Sequence, residues 1–297
     1  MTTPFPILQI PDDAPEDIEQ MGSKEKFWFR QNDERWLFKY PRPGTGEHWA
    51  EKVVAEVAAL LSIPVARVEL AKYQDNLGSA TLSFADRTQG KALIHGNEIL
   101  AALVTGYDKD KWRHQSDHTL DAIIASVNKL FPPPRRKIAL EVLAGYVVLD
   151  ALVGNVDRHH ENWGVVLAFE NNKLTQMEVA PSFDHASSLG RELLPQRCGS
   201  FLQNPDNIKR YMQNGHGGIF INTSDAKGAS PLRLALEAMQ KYPDYFTIWL
   251  NHLAGLDMDQ VECIINSIPE GWISADNRKF AYSFLRIARQ ALLEGKQ

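Results

Sequence analysis

Cysteine is scarce in this 297-residue chain: Cys198 and Cys263 are the only two, and no CxxC spacing joins them. That excludes a disulfide framework and a cysteine zinc site, fits a reducing compartment, and leaves two ordinary buried thiols as the expectation. Long apolar runs are missing too. No stretch reaches the ~18 to 20 apolar residues that span a bilayer. The first twenty residues, MTTPFPILQIPDDAPEDIEQ, have no basic region ahead of an apolar core. A cytoplasmic protein without membrane association is expected. An excess of positive charge is absent as well: the formal net charge of −5 gives no field to attract nucleic acid or anionic lipid, so direct nucleic-acid binding is not expected. The chain also lacks the G-x-x-x-x-G-K-[ST] phosphate loop, the H-E-x-x-H zinc motif, internal repeats and low-complexity tracts.

What is there is a composition of 44% hydrophobic and 23% charged residues, that of a soluble globular protein. The length exceeds the ~100 to 200 residues of a usual domain, so one large domain or two lobes over a cleft are expected. Residues 1–20, rich in Pro, Asp and Glu, read as an extended arm. FWFRQNDERWLFKYP then reads as a β-hairpin with a longer loop, stopped by Pro41 and Pro43. In PGTGEHWAEKVVAEVAALLSIP, residues Trp49, Val53, Val57, Leu60 and Leu61 recur on one helix face before Pro64. VARVELAKY, GSATLSFAD and KALIHGN look like three more strands, and most of the remainder is helical. The arrangement is α+β, bilobal, with a small strand-rich lobe (21–98), a large helical lobe (99–297) and a cleft near residues 93–103. QNGHGGIFINTSDAKGAS, residues 213–230, reads as a surface loop or lid.

The chemistry concentrates in GNVDRHHENWG, residues 154–164, directly after the apolar run ALEVLAGYVVLDALV. Asp157 and Asn162 stand five apart. In phosphoryl transfer an aspartate orients the attacking hydroxyl and takes its proton, while an asparagine on the same loop holds magnesium against the nucleotide phosphates. Asp184, in SFDHASSLGREL after a strand-like WGVVLAF, stands where a second magnesium carboxylate belongs. The plainer reading of Asp184 is an Asx-turn or helix cap. Lys39, on the second hairpin strand, could reach phosphates or could be a solvated edge residue. Gly22, Ser23 and Lys24 could form a turn whose backbone N–H groups cradle phosphate. Glu51 and Glu56 compete to hold the lysine, and helical periodicity favours Glu56. His159 and His160 raise zinc as a rival, but adjacent histidines diverge in regular structure, and His159 is read as bracing the loop.

Taken together, GNVDRHHENWG, SFDHASSLGREL, the lysine strand before RPGTGEHWAEKVVAE, LIHGNEIL and NRKFAYSFLRIARQALL resemble the HipA-like kinases, whose C-terminal region shares a fold with the phosphatidylinositol kinases. The resemblance runs from about residue 20 to the end. It implies a protein-kinase-like fold and an ATP- and Mg2+-dependent serine/threonine kinase of the toxin type, with a serine or threonine of a protein as acceptor and an antitoxin as a possible partner. It makes Asp157 the catalytic aspartate, Asn162 and Asp184 the metal ligands, and Lys39 the phosphate-contacting lysine. It makes residues 22–24 the phosphate loop and 93–98, with His95, the adenine hinge, and it puts His159 among the nucleotide-side residues. Counting back from Ser62, it selects Glu51 over Glu56, and it makes Ser23 the candidate for autophosphorylation. Two departures stand out. About twenty residues precede the nucleotide lobe where full-length toxins carry about a hundred, as in the family's shorter members. The turn after Asp184 is His-Ala rather than Phe-Gly. A lipid or small-molecule kinase and a nucleotide-binding module without transfer activity are the alternatives.

Overall fold

The computed structural model describes residues 2–18, 25–111 and 114–295. Gly22, Ser23 and Lys24 therefore lie outside the described residues. The N-terminal part is a curled six-stranded sheet in the order β1-β5-β6-β4-β3-β2. Its strands are β1 (Ile7–Ile10), β2 (Pro15–Ile18), β3 (Lys26–Gln31), β4 (Glu34–Lys39), β5 (Val68–Tyr73) and β6 (Asn76–Leu82). The expected arm is thus part of the sheet: β1 adds parallel to β5, and β2 pairs antiparallel with β3. The β3–β4 connection is tighter than the longer loop expected. Gln31 pairs with Glu34, and Asn32 and Asp33 both take positive φ (52° and 63°), the backbone of a two-residue hairpin turn that matches strand twist.

Alternation along β4 sends Trp36 and Phe38 into an aromatic core with Phe27 and Phe29 and turns Lys39 to the other face. That face is covered by α1 (Glu47–Leu60). Helix α1 buries Trp49, Val53, Val54, Val57 and Ala58 and packs against β5 and β6 on one side and α9 on another. Because it is covered on several sides, its charged residues Glu47, Glu51 and Lys52 are buried too.

A further strand, β7 (Lys91–His95), leads into α2 (Gly96–Leu103). It does not join the first sheet, as expected, but pairs with β8 (Gly164–Glu170), which pairs with β9 (Lys173–Val179). The chain therefore crosses into its helical part with a strand that flanks the 154–164 loop. The helical part is built on α4 (Pro133–Val153), which packs against α3 (Leu120–Leu130), α7 (Pro231–Lys241), α8 (Pro243–Ala254) and α10 (Ala275–Glu294). Between them lie α5 (Pro195–Leu202), α6 (Pro205–Asn214) and α9 (Met258–Asn266). Cys198 is buried, but Cys263 is exposed on α9, which corrects the expectation of two buried thiols. No helix among the described residues is long and apolar enough to cross a membrane.

Candidate active site

Helix α4 delivers the polar loop. It ends at Gly154, whose φ of 68° is the left-handed cap that stops a helix. Asp150, four residues earlier, keeps its carboxylate inside. Arg158 grips it with Nε–Oδ2 and Nη2–Oδ1 contacts of 2.8 Å each, and Asn155 Nδ2 donates to Oδ1 at 2.9 Å. The same guanidinium donates to the Asn162 carbonyl at 2.7 Å and to Ser182 Oγ at 2.8 Å. One buried arginine therefore ties the helix end, both ends of the 157–162 loop, and the start of the Asp184 turn. Burial alone would lower its pKa, but the Asp150 carboxylate outweighs that and holds it raised. Neither Arg158 nor Asp150 stands out as a site residue from sequence alone. The available signal was a single aspartate inside an otherwise apolar helical run, since a charge there needs a partner.

On this frame Asp157 is held at three points. Its N–H donates to Asn155 Oδ1 (3.1 Å), its carbonyl accepts from Asn162 Nδ2 (2.7 Å), and its Oδ2 accepts from Ser187 Oγ (3.4 Å). With Asn162 Nδ2 committed to that carbonyl, the Oδ1 end of the amide is the one presented to a cation. Ser187 in turn accepts from Arg191 Nη2 at 3.2 Å, and Arg191 pairs with Glu47 at the start of α1.

From the sheet side, Lys39 Nζ lies 3.0 Å from Glu51 Oε1 and 3.0 Å from Asp184 Oδ1. The register explains the meeting. Lys39 faces Ser79 across the β4–β6 ladder, and Ser79 Oγ donates to Glu51 Oε2 at 3.0 Å. Burial would lower the Lys39 pKa, but Asp184 and Glu51 more than compensate, so the ammonium stays charged. Glu56, which periodicity favoured, pairs instead with Lys52 at 2.7 Å. Helical periodicity misplaces the partner because α1 is buried on more than one side. Asp184 takes φ 58°, a left-handed backbone that Asp tolerates better than most residues. Behind it His185 is fully buried, and burial followed by the nearby Arg158 charge pushes its pKa well below the usual value. Its Nε2 and Ser182 Oγ share a hydrogen bond at 2.7 Å.

His95 Nδ1–H donates to the Glu161 carbonyl at 2.8 Å, so the 93–98 segment is stitched to the loop that carries Asp157. The two histidines of that loop diverge. His159 Nδ1 accepts from Glu161 N–H at 3.2 Å, and His160 Nδ1 pairs with Tyr107 Oη at 2.8 Å. Segment 213–230 is no free lid. Ile219 and Phe220 are buried, Phe220 N–H donates to the His118 carbonyl, and Ala229 N–H to the Ile219 carbonyl.

Among the described residues no three His, Cys, Asp or Glu side chains converge as a metal cage. Magnesium fits what is present. It takes one or two protein oxygens and completes its octahedron with phosphates and water, and the amide oxygen of Asn162 and the carboxylate of Asp184 are hard oxygen donors.

Residues 19–240 match the HipA-like C-terminal domain family. The serine/threonine-protein kinase CtkA of Helicobacter pylori is 24% identical over 281 residues, 92% of this chain and 81% of that one. A crystal structure of that proinflammatory kinase aligns with a TM-score of 0.79 at 18% identity, over 98% of this chain and 97% of that chain. HipA of Shewanella oneidensis MR-1, in its complex with HipB and operator DNA, aligns with a TM-score of 0.57 at 12% identity, over 97% of this chain and 66% of that chain. The match to the family covers well over half of the sequence, and the chain belongs to the HipA-like C-terminal domain family.

Proposed function

We propose that the protein is an ATP- and Mg2+-dependent kinase that phosphorylates serine or threonine in a protein. The observation that carries this reading is the Lys39 ammonium held 3.0 Å from both Glu51 and Asp184, on a frame that also fixes Asp157 and Asn162. Bound Mg2+ would neutralise charge on the phosphates, with Asn162 and Asp184 as its protein ligands. The chain's own residues do the rest. Asp157, anchored through its N–H, its carbonyl and the Ser187 contact to its Oδ2, takes the proton of the acceptor hydroxyl as the new P–O bond forms and the bond to ADP breaks. Lys39, kept charged, stabilises the transferred phosphoryl group. Residues 22–24 are the phosphate loop and residues 93–98, with His95, the adenine hinge in this reading. His159 braces the loop on the nucleotide side.

The likeness to CtkA supports a protein acceptor, and that to HipA in complex with HipB supports an antitoxin-type partner; a cytoplasmic setting remains part of the proposal. Autophosphorylation at Ser23 completes the proposal and is read by phosphopeptide mapping. The test is transfer of labelled phosphate from ATP to protein in a cell extract. Asp157→Ala should reduce it by roughly 10² to 10⁴-fold with an unchanged melting temperature. Transfer retained by the folded variant refutes the assignment.

A further inference from the structure

Helix α1 carries two buried carboxylates, Glu47 and Glu51, one turn apart on neighbouring positions of its surface. Glu51 holds Lys39. Glu47 reaches the other half of the site. Its Oε1 accepts from Arg191 Nη1, and Arg191 Nη2 donates to Ser187 Oγ at 3.2 Å. Ser187 Oγ in turn donates to Asp157 Oδ2 at 3.4 Å. The two arms of one guanidinium therefore join a helix of the N-terminal part to the carboxylate of the loop aspartate, a geometry that the planar fork of arginine supplies.

Both ends of this chain are fixed. At α1, Gly46 N–H donates to the Arg191 carbonyl at 2.7 Å. Arg42 gives Glu47 two more bonds, from its N–H to Oε2 at 3.0 Å and from Nη1 to Oε1 at 2.8 Å. At the loop, Leu189 N–H donates to the Val153 carbonyl at 2.9 Å, and Val156 N–H to the Ser187 carbonyl at 3.3 Å. Segment 187–191 therefore lies along the end of α4 and the start of the polar loop. The Glu47 and Arg191 side chains are only 3% and 17% exposed, so water and salt weaken this pair less than a surface one. Asn155 and Asn162 hold the backbone of Asp157, whereas Ser187 acts on its carboxylate, the group that meets the acceptor hydroxyl. A hydroxyl that accepts from a guanidinium is polarised and donates more strongly.

Resting on the kinase reading, we propose that Arg191 is a positioning residue: through Ser187 it aims the Asp157 carboxylate, and through Glu47 it makes that aim depend on the seating of α1. The helix then sets both halves of the site together, Lys39 through Glu51 and Asp157 through Glu47.

The experiment is a double-mutant cycle on the full chain, read as labelled-phosphate transfer to protein in a cell extract at saturating Mg-ATP. Ser187→Ala and Arg191→Met should each lower the maximal rate about tenfold or more, with the KM for Mg-ATP changed by less than about twofold. The double variant should be about as active as the slower single one, because both substitutions cut one chain. An arginine with a merely structural role would lower the melting temperature and multiply its loss onto that of Ser187→Ala. Losses that multiply, a loss confined to KM, or an unchanged rate in Ser187→Ala overturn the positioning role and leave the kinase reading standing. Binding of Mg-ATP by the wild type without transfer to any protein sinks the kinase reading and the positioning role with it. Ser187→Ala removes a single hydroxyl, so it decides the matter even if Arg191→Met does not fold.

Discussion

Arg158 and Lys39 are both buried cations, and they do different work. Arg158 holds loop geometry and touches no group assigned to substrate, so its loss should appear in stability. Arg158→Met strands the Asp150 carboxylate and should cost ~3 to 5 kcal/mol, read as a lower urea midpoint with an unchanged m-value. Lys39 stands where phosphate charge develops, so Lys39→Met should lower transfer by roughly 10² to 10³-fold. The partner choice is separable in the same assay. Glu51→Gln should reduce transfer, because Glu51 keeps Lys39 charged and placed. Glu56→Gln should leave it near the parent value, because Glu56 binds Lys52. Equal effects of the two would refute the pairing. Residue types were the legible part here: Asp157, Asn162 and Asp184 stood out from spacing and context. Arg158 did not, since its partners Asp150 and Ser182 come from other segments.

Among the elements, local signals located most helices and strands, and the misses have identifiable causes. Helices α5, α6 and α7 are short with polar stretches, and each begins with proline, as do α4 and α8. Proline at the first helical position needs no N–H partner there, and that signal outweighs the short, polar sequences that follow. The terminal segment was legible as extended but not as sheet, because pairing partners come from elsewhere in the chain. The end of α4 is the junction that matters most for the site. Gly154 combines a positive φ with Phe284 Cζ only 2.5 Å from where a Cβ would sit. Gly154→Ala should destabilise the fold by ~1 to 3 kcal/mol and slow transfer by moving Asp157. A thermal melt and a transfer assay on one preparation check both halves, and an unaffected melt refutes the strain argument.

For the protein as one body, acid is the lever. Burial pushes the pKa of His118 down to about 3 and that of His48 down to about 4. In the unfolded chain both titrate near ~6.5, so below that pH the unfolded state binds more protons and stability falls. It is fully present above ~6.5 and should decline by up to ~1.4 kcal/mol per pH unit from each histidine toward pH 4. Urea midpoints at pH 7.5, 6 and 5 read this, and a flat profile refutes it. Chelation should act on chemistry alone: with no preformed cage among the described residues, EDTA should abolish transfer and leave the melting temperature unchanged. What the residue order alone decided is short-range chemistry, because an Asp and an Asn five apart on one loop after an apolar helix stay together in any fold that keeps the loop. The tertiary structure alone decided that Lys39 meets Asp184 across 145 residues and that segments around 115, 160 and 220 enclose a cavity, and the packing of α1 sided with the resemblance, against periodicity, in joining Glu51 rather than Glu56 to them. Periodicity encodes which face of an element is apolar, whereas strand register and the packing of covered helices choose which distant polar groups meet.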